Sequence, residues 1–337
     1  MLGPLTAGRD LATNEVVAAV TDILRGRATP AQIAAFAVGL RMKGETVEEM
    51  AALLDVMRGF GERVELAAGS DAVDTCGTGG DRACTINAST VAALVVAGAG
   101  AKVCKHGNRS QSSQCGSADL LEALGVAIDL EPAAVADCVE RAGMGFCFAP
   151  RYHPAFRHVG PTRRELGVPT VFNFLGPLAN PARVRRQVLG VSDPAMAGKL
   201  IGVLQAQGAE RALVVYGHDG LDELSTVTTS TVLELREGEV RTYEVDPVAL
   251  GLSPATLKDI RGGDPSVNAD LARRILDGEA SPRREFVLLN AAAGLVAAGM
   301  VDDLAEGLAA ATAAVDDGRA AAVLDRLVAV SAASITG

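Results

Sequence analysis

Positive charge is scarce in this sequence: 31 Lys and Arg stand against 41 Asp and Glu over 337 residues, a formal net charge of −10. That balance argues against nucleic acid or an anionic membrane surface as a general partner, because both are polyanions that draw basic proteins. Long apolar runs are missing too. Hydrophobic residues make up 49% of the chain and mean hydropathy is +0.24, yet the longest nearly apolar stretches, 91–101 and 288–301, are too short and too interrupted to span a bilayer. A soluble protein is expected. The start, Met1-Leu2-Gly3-Pro4-Leu5, has no basic stretch leading into an apolar segment, so the expected compartment is cytoplasmic. The six cysteines, at 76, 84, 104, 115, 138 and 147, form no C-x-x-C pair, and no His lies at zinc-ligand spacing. Neither a disulfide framework nor a zinc site is suggested, and buried free thiols are expected. Cys76 stands in a Gly-rich stretch without a neighbouring base and reads as a packing residue.

What is present divides by texture. The first sixty or so residues read as helices. Val16, Val17, Val20, Ile23 and Leu24 share a face, with Gly26 as the stop. Thr29-Pro30-Ala31-Gln32 and Thr46 with Glu49 are capping boxes that open two further helices, the second with an apolar stripe of Val47, Met50, Leu54 and Met57. From about Asp71, short β-rich runs alternate with Gly-rich loops and Ala/Val/Leu-rich helices, the pattern of βα units around a largely parallel sheet. Candidate strands are 72–74, 101–104, 145–148, 187–191 and 212–216, with an antiparallel hairpin at 231–235 and 240–245. The fold class is α/β: a small all-helical N-terminal domain at 1–66, joined by a returning segment at about 160–182, and a large α/β domain at 71–337.

Four stretches carry chemistry. Asp74-Thr75-Cys76-Gly77-Thr78-Gly79-Gly80-Asp81 runs a strand end into glycines, then Thr85, Asn87, Ser89 and Thr90 open a helix. Glycine lets backbone N–H groups approach an anion, and a helix N-terminus favours one; a tight turn with a capped helix is the alternative reading. Neither G-x-x-x-x-G-K-[ST] nor G-x-G-x-x-G is present, so ATP and NAD fit poorly. Lys105-His106-Gly107-Asn108-Arg109-Ser110-Gln111-Ser112-Ser113 follows another strand as a second candidate anion loop, with Lys as point charge and Arg as fork. Arg151-Tyr152-His153-Pro154 and Arg163-Arg164 offer guanidinium and flat apolar surface to an aromatic carboxylate, or form a surface arginine cluster. Asp222-Glu223 would suit Mg²⁺ as hard ligands, or be surface charge.

Together these motifs resemble the anthranilate phosphoribosyltransferase family. The resemblance rests on Gly77-Thr78-Gly79-Gly80-Asp81, Asn87-x-Ser89-Thr90, Lys105-His106-Gly107-Asn108-Arg109, Gly116-Ser117-Ala118-Asp119, Arg151-Tyr152-His153-Pro154, Arg163-Arg164-Glu165-Leu166-Gly167, Phe172-Asn173-x-Leu175-Gly176-Pro177 and Asp222-Glu223-Leu224-Ser225, all in the family's order. It thins beyond about Asp246. It implies transfer of a phosphoribosyl group from phosphoribosyl pyrophosphate to the amine of anthranilate, with Mg²⁺ as cofactor, in a homodimer contacting through the helical domain. It further implies that Gly77, Gly80, Asp81, Thr85, Asn87, Ser89, Thr90, Lys105, His106, Gly107, Asn108, Arg109, Ser110, Gln111, Ser112, Ser113 and Ser117 hold phosphoribosyl pyrophosphate. Ser89, Asp222 and Glu223 would hold Mg²⁺. Gly77, Asn108, Arg163, His106, Tyr152 and His153 would surround anthranilate. No residue is assigned as general acid or base, because the aniline nitrogen attacks as the free amine. Gln114-Cys115 stands where many relatives carry Lys-Ser, which removes a cation near the pyrophosphate loop. Two rivals are a pyrimidine nucleoside phosphorylase of the same fold and a noncatalytic, nucleic-acid-binding relative. The Lys105–Arg109 motif with Asp222-Glu223 opposes the first, and the net charge opposes the second.

Overall fold

The computed structural model describes residues 2–81, 83–110 and 114–334. Four helices come first: α1 (Leu2–Thr6), α2 (Thr13–Leu24), α3 (Pro30–Lys43) and α4 (Val47–Gly59). Thr29 and Thr46 cap α3 and α4 through their hydroxyls, and Gln32 and Glu49 return the bond to the cap amides. Each such cap contributes about 1 kcal/mol. Glu49 is 1% exposed and also takes the Leu11 N–H and the Lys43 ammonium, so it ties the entry loop to both helices. Of the apolar face read for α2, Val16, Val20, Ile23 and Leu24 are buried, whereas Val17 is 40% exposed. At helical spacing Val17 falls on the edge of the stripe and turns to solvent.

The α/β domain interleaves β1 (Val73–Gly77), α5 (Ala88–Gly98), β2 (Val103–Gly107), α6 (Ser117–Ala123), α7 (Pro132–Ala142), β3 (Met144–Phe148), α8 (Ala149–Tyr152), α9 (Gly160–Leu166), α10 (Val171–Leu175), β4 (Arg186–Gly190), α11 (Pro194–Ala206), β5 (Arg211–Gly217), β6 (Ser230–Arg236) and β7 (Glu239–Val245). Helices α12 (Pro265–Leu276), α13 (Pro282–Ala298), α14 (Leu304–Asp316) and α15 (Arg319–Ala333) close the chain. The seven strands run in the order β3-β2-β1-β4-β5-β6-β7, parallel through β5, with β6 and β7 as an antiparallel edge hairpin. The chain winds one way from β1 to β3 and the other way from β4, so the order reverses between β1 and β4. Open α/β sheets bind ligands in that crevice, beyond the carboxyl ends of the strands.

Two apolar cores lie on the two sides of the sheet. One joins α5, α13, α14 and α15 to β1, β2 and β3. The other joins α2, α3 and α4 to α10, α11 and side chains of β4 and β5, so Phe36, Leu53 and Phe172 share a core with Leu189 and Val214. Strands β1 and β2 extend further than the composition suggests: Cys76 belongs to β1, and Lys105, His106 and Gly107 belong to β2 rather than to a loop.

Candidate active site

Three neighbouring strands end in glycine at the same edge of the sheet, Gly77 of β1, Gly107 of β2 and Gly190 of β4. A Cβ at Gly77 would collide with the Asp222 carboxylate, and one at Gly190 with the Asp222 main chain. A Cβ at Gly107 would strike Ser117 and Phe146. Glycine is thus what lets the loops after β1, β2 and β5 close over the strand ends. Beyond Gly77 the loop turns at Gly79 and Gly80, with φ of +67° and +91°, values that only glycine adopts without strain. Thr78 N–H donates to the Gly190 carbonyl (2.9 Å) and the Ser192 hydroxyl to that of Gly79 (2.8 Å), fastening the loop to the end of β4.

Asp222 and Glu223 dock on this loop. Asp222 Oδ2 accepts from the Gly79 N–H at 2.6 Å, and Glu223 Oε1 accepts from the Ser89 N–H at 3.0 Å, at the start of α5. Glu223 Oε2 is buried without a hydrogen-bond partner. Burial, together with the nearby Asp81 carboxylate, raises the Asp222 carboxyl to about 7. Burial and Asp222 push Glu223 well above the ordinary carboxylate range. Adjacent acids forced together out of water, one with an unsatisfied oxygen, form a hard-oxygen donor set that a divalent cation would satisfy. Among the described residues no three His, Cys, Asp or Glu side chains form a ready-made metal cage.

Lys105 lies 2% exposed inside β2; its ammonium donates to the Thr75 carbonyl and stands 3.5 Å from Ser89 Oγ. It is a buried cation beneath the acids, its pKa lowered by desolvation against the pull of Asp74 and Glu223. Asp74, fully buried, accepts from the His106 N–H (3.2 Å) and the Asn180 amide (2.8 Å), and burial raises it to about 6. Cys76 is buried and its thiol is pushed up by burial and by Asp74, which leaves it no nucleophilic character.

The loop after β2 folds on itself. Ser117 Oγ accepts from Asn108 N–H, and Asp119 accepts from Ser110 and Gly116 N–H. The Arg109 guanidinium pairs with Asp119 and Glu122, each at 2.8 Å, so it faces α6 rather than the glycine loop. Asn87 donates to the Cys115 carbonyl (2.8 Å) and accepts from Asn268 of α12 (2.8 Å), linking the loops after β1 and β2. Thr85 forms a β-bridge with Arg261, Thr90 is buried in α5, and Gln111, Ser112 and Ser113 lie outside the described residues.

On the other side of the crevice His106 and His153 meet edge to face at 5.2 Å, followed by Phe156 and Phe172 at successive 6.1 Å separations. Burial pushes the His106 ring well below its ordinary range, and His153 falls to about 4. Both rings are neutral at pH 7. Arg163, on the helix that follows Phe156, has a buried Nε without a partner, and the guanidinium makes no hydrogen bond or ion pair among the described residues. Desolvation alone lowers its pKa. A half-buried guanidinium lacking a counter-ion could take an anion such as a carboxylate. Tyr152 is not brought to this crevice: it is fully buried in the α/β core, its hydroxyl donating to the Leu130 carbonyl at 2.8 Å.

The sequence reading passed over the supports of the site Asn180, Gln187, Asn268 and Asn290, all buried, and gave Asp74 no role of its own. Their signal was available as polar residues inside otherwise apolar stretches, such as Asn290 in Leu288-Leu289-Asn290-Ala291.

The fold and the crevice define a class of enzyme, glycosyl transferases built from a helical bundle and an α/β domain. The family model for the a/b domain of the glycosyl transferase family matches residues 69–321, and the one for its helical bundle domain matches residues 1–61. Within that class the chain belongs to the anthranilate phosphoribosyltransferase family. It is 52% identical to the anthranilate phosphoribosyltransferase of Roseiflexus sp. (strain RS-1), over 97% of this chain and 96% of that one. It superposes on the Thermus thermophilus enzyme with a TM-score of 0.92 at 42% identity, covering 98% of this chain and 99% of the other. The Saccharomyces cerevisiae enzyme, in a complex with PRPP and Mg, gives 0.90 at 26% identity over 98% and 97%.

Proposed function

We propose that the crevice between β1 and β4 transfers the 5-phosphoribosyl group from phosphoribosyl pyrophosphate to the amine of anthranilate, releasing pyrophosphate, the second step from chorismate in tryptophan biosynthesis. The observation that carries this reading is the docking of Asp222 and Glu223 on the glycine-loop amides, with a buried carboxylate oxygen left over at the sheet's switch point. Ser89, Asp222 and Glu223 are the residues that would hold Mg²⁺. When bound, the cation would neutralise charge on the departing pyrophosphate.

The remaining chemistry falls to the chain itself. Displacement at the anomeric carbon passes through an oxocarbenium-like state, so holding the leaving group matters more than activating the attacker. Amides of the glycine loop, with Gly77, Gly80, Asp81, Thr85, Asn87 and Thr90 around them, cradle the phosphates. Lys105, His106, Gly107, Asn108, Arg109, Ser110 and Ser117 form the second wall, and Gln111, Ser112 and Ser113 are assigned to the same substrate; within the wall Lys105 supplies positive charge from below, and Arg109 orders the loop through Asp119. Arg163 takes the anthranilate carboxylate, and the neutral edges of His106 and His153 flank its ring, with Gly77 and Asn108 at the meeting point of the two substrates. The weakly basic aniline nitrogen attacks as the free amine, so no general base is demanded of the two neutral imidazoles.

This reading extends to a cytoplasmic homodimer, its domains divided at 1–66 with 160–182 and at 71–337. No helix of the described residues is long and apolar enough to cross a membrane, and all six cysteines are free. Exposed Val17 and Met42 on the helical domain support an apolar contact there. The activity is tested by following anthranilate fluorescence with phosphoribosyl pyrophosphate, with and without Mg²⁺. Consumption that depends on Mg²⁺ is expected, and no consumption in either condition would refute the reading.

A further inference from the structure

Helix α13 is buried from Phe286 to Ala298, and Asn290 is the one polar side chain in that stretch. Its carboxamide is fully used. Oδ1 accepts from the Leu224 N–H at 3.0 Å, while Nδ2 donates to the Leu224 carbonyl at 3.0 Å and to the Phe286 carbonyl at 2.9 Å. Both backbone groups of Leu224 are therefore held by one side chain, as a neighbouring strand would hold them, in a loop that belongs to no strand. Leu224 directly follows Asp222 and Glu223. Asn290 also lines, with Thr75, Ser89, Asp222 and Glu223, a small cavity of about 10 Å³ at the acidic loop.

We infer that Asn290 is a positioning residue for the metal carboxylates: by pinning the Leu224 peptide it fixes where Asp222 and Glu223 present their oxygens and so sets the affinity for Mg²⁺. The inference rests on the assignment of those two acids as Mg²⁺ ligands. The reason is geometric. Asp222 Oδ2 and Glu223 Oε1 rest on main-chain amides, those of Gly79 and Ser89, so the peptide that follows them decides how far the two carboxylates can shift. Mg²⁺ demands near-ideal octahedral oxygen geometry, so a displaced carboxylate costs it more than it would cost a larger ion. A clamp reaching in from a rigid helix supplies the restraint, as outer-sphere partners do for metal ligands generally.

Asn290→Asp is nearly isosteric; it keeps an acceptor for the Leu224 N–H and replaces the donor that meets two carbonyls. Asn290→Ala removes both interactions. For each folded variant we expect the Mg²⁺ concentration for half-maximal activity to rise at least tenfold, with kcat at saturating Mg²⁺ within about threefold and KM for anthranilate unchanged. Binding of Mn²⁺ in the presence of phosphoribosyl pyrophosphate, read by electron paramagnetic resonance without turnover, should weaken by the same factor. Glu223→Gln is the reference. If Glu223→Gln leaves both metal readouts unchanged, the metal assignment itself fails. If Glu223→Gln shifts them and a folded Asn290 variant does not, the positioning role alone is overturned. Failure of both Asn290 variants to fold would make the residue one of stability and overturn the role as well.

Discussion

Single residues in this protein are best judged by what they lack. Arg163 has a buried Nε without a partner among the described residues, and on the proposed function it holds the anthranilate carboxylate. Arg163→Ala should raise KM for anthranilate about 10- to 100-fold, the factor expected for losing a hydrogen bond to a charged group. KM for phosphoribosyl pyrophosphate should stay within about twofold, and steady-state kinetics in both substrates measures the pair. An unchanged KM for anthranilate would remove Arg163 from that role. Lys105 shows the opposite case. Its sequence neighbours suggest an exposed cationic loop, yet it is enclosed in β2 with its ammonium on a carbonyl oxygen. Arg109 likewise turns to Asp119 and Glu122. The two cations were legible as residues, but which direction each faces depends on strand phase and on partners ten or more positions away.

Elements matter here through where they end. Strands β1, β2 and β4 finish in glycines that have no room for a methyl group: Asp222 lies against Gly77 and Gly190, and the Ser117 and Phe146 side chains against Gly107. Gly77→Ala places a Cβ on the Asp222 carboxylate. Activity should fall by about 100-fold or more through displacement of that acid, as misplacements of about 1 Å cost elsewhere. Far-ultraviolet circular dichroism should remain that of the parent. Retained activity would show that Asp222 is not held where the structure puts it. The Gly-rich sequence made this loop visible, and Asp222-Glu223 was visible as a pair. Their contact was not, since Gly79 and Asp222 are 143 positions apart and meet only because the order of strands reverses between β1 and β4.

Over the whole molecule, the excess of acid coexists with substrates that are anions. Residues 102–186 hold eleven Lys and Arg against seven Asp and Glu, a local surplus of four positive charges inside a chain of −10. Net charge therefore describes the chain as a whole and not how charge is distributed along it. The helical domain presents Met42 at 83% exposure and Val17 at 40%. A contact between two copies through the helical domain would give these side chains apolar cover. Sedimentation should then give about twice the chain mass of 34.5 kDa, reduced toward one chain by Met42→Asp. A monomeric parent would dismiss the proposed homodimer.

The sequence by itself determined the elements and the chemistry they carry: capping boxes, strand periodicity, glycine loops and acid pairs are local patterns, written within a few residues of one another. Tertiary structure alone decided which of them meet. It closed the helical domain onto β4 and β5 through a common core, enclosed Lys105, turned Tyr152 inward, and brought Asn268 and Asn290 from the C-terminal helices to support the loops. The reason is physical: a buried polar group has to find its partner wherever the fold places one, and that distance along the chain leaves no local pattern to read.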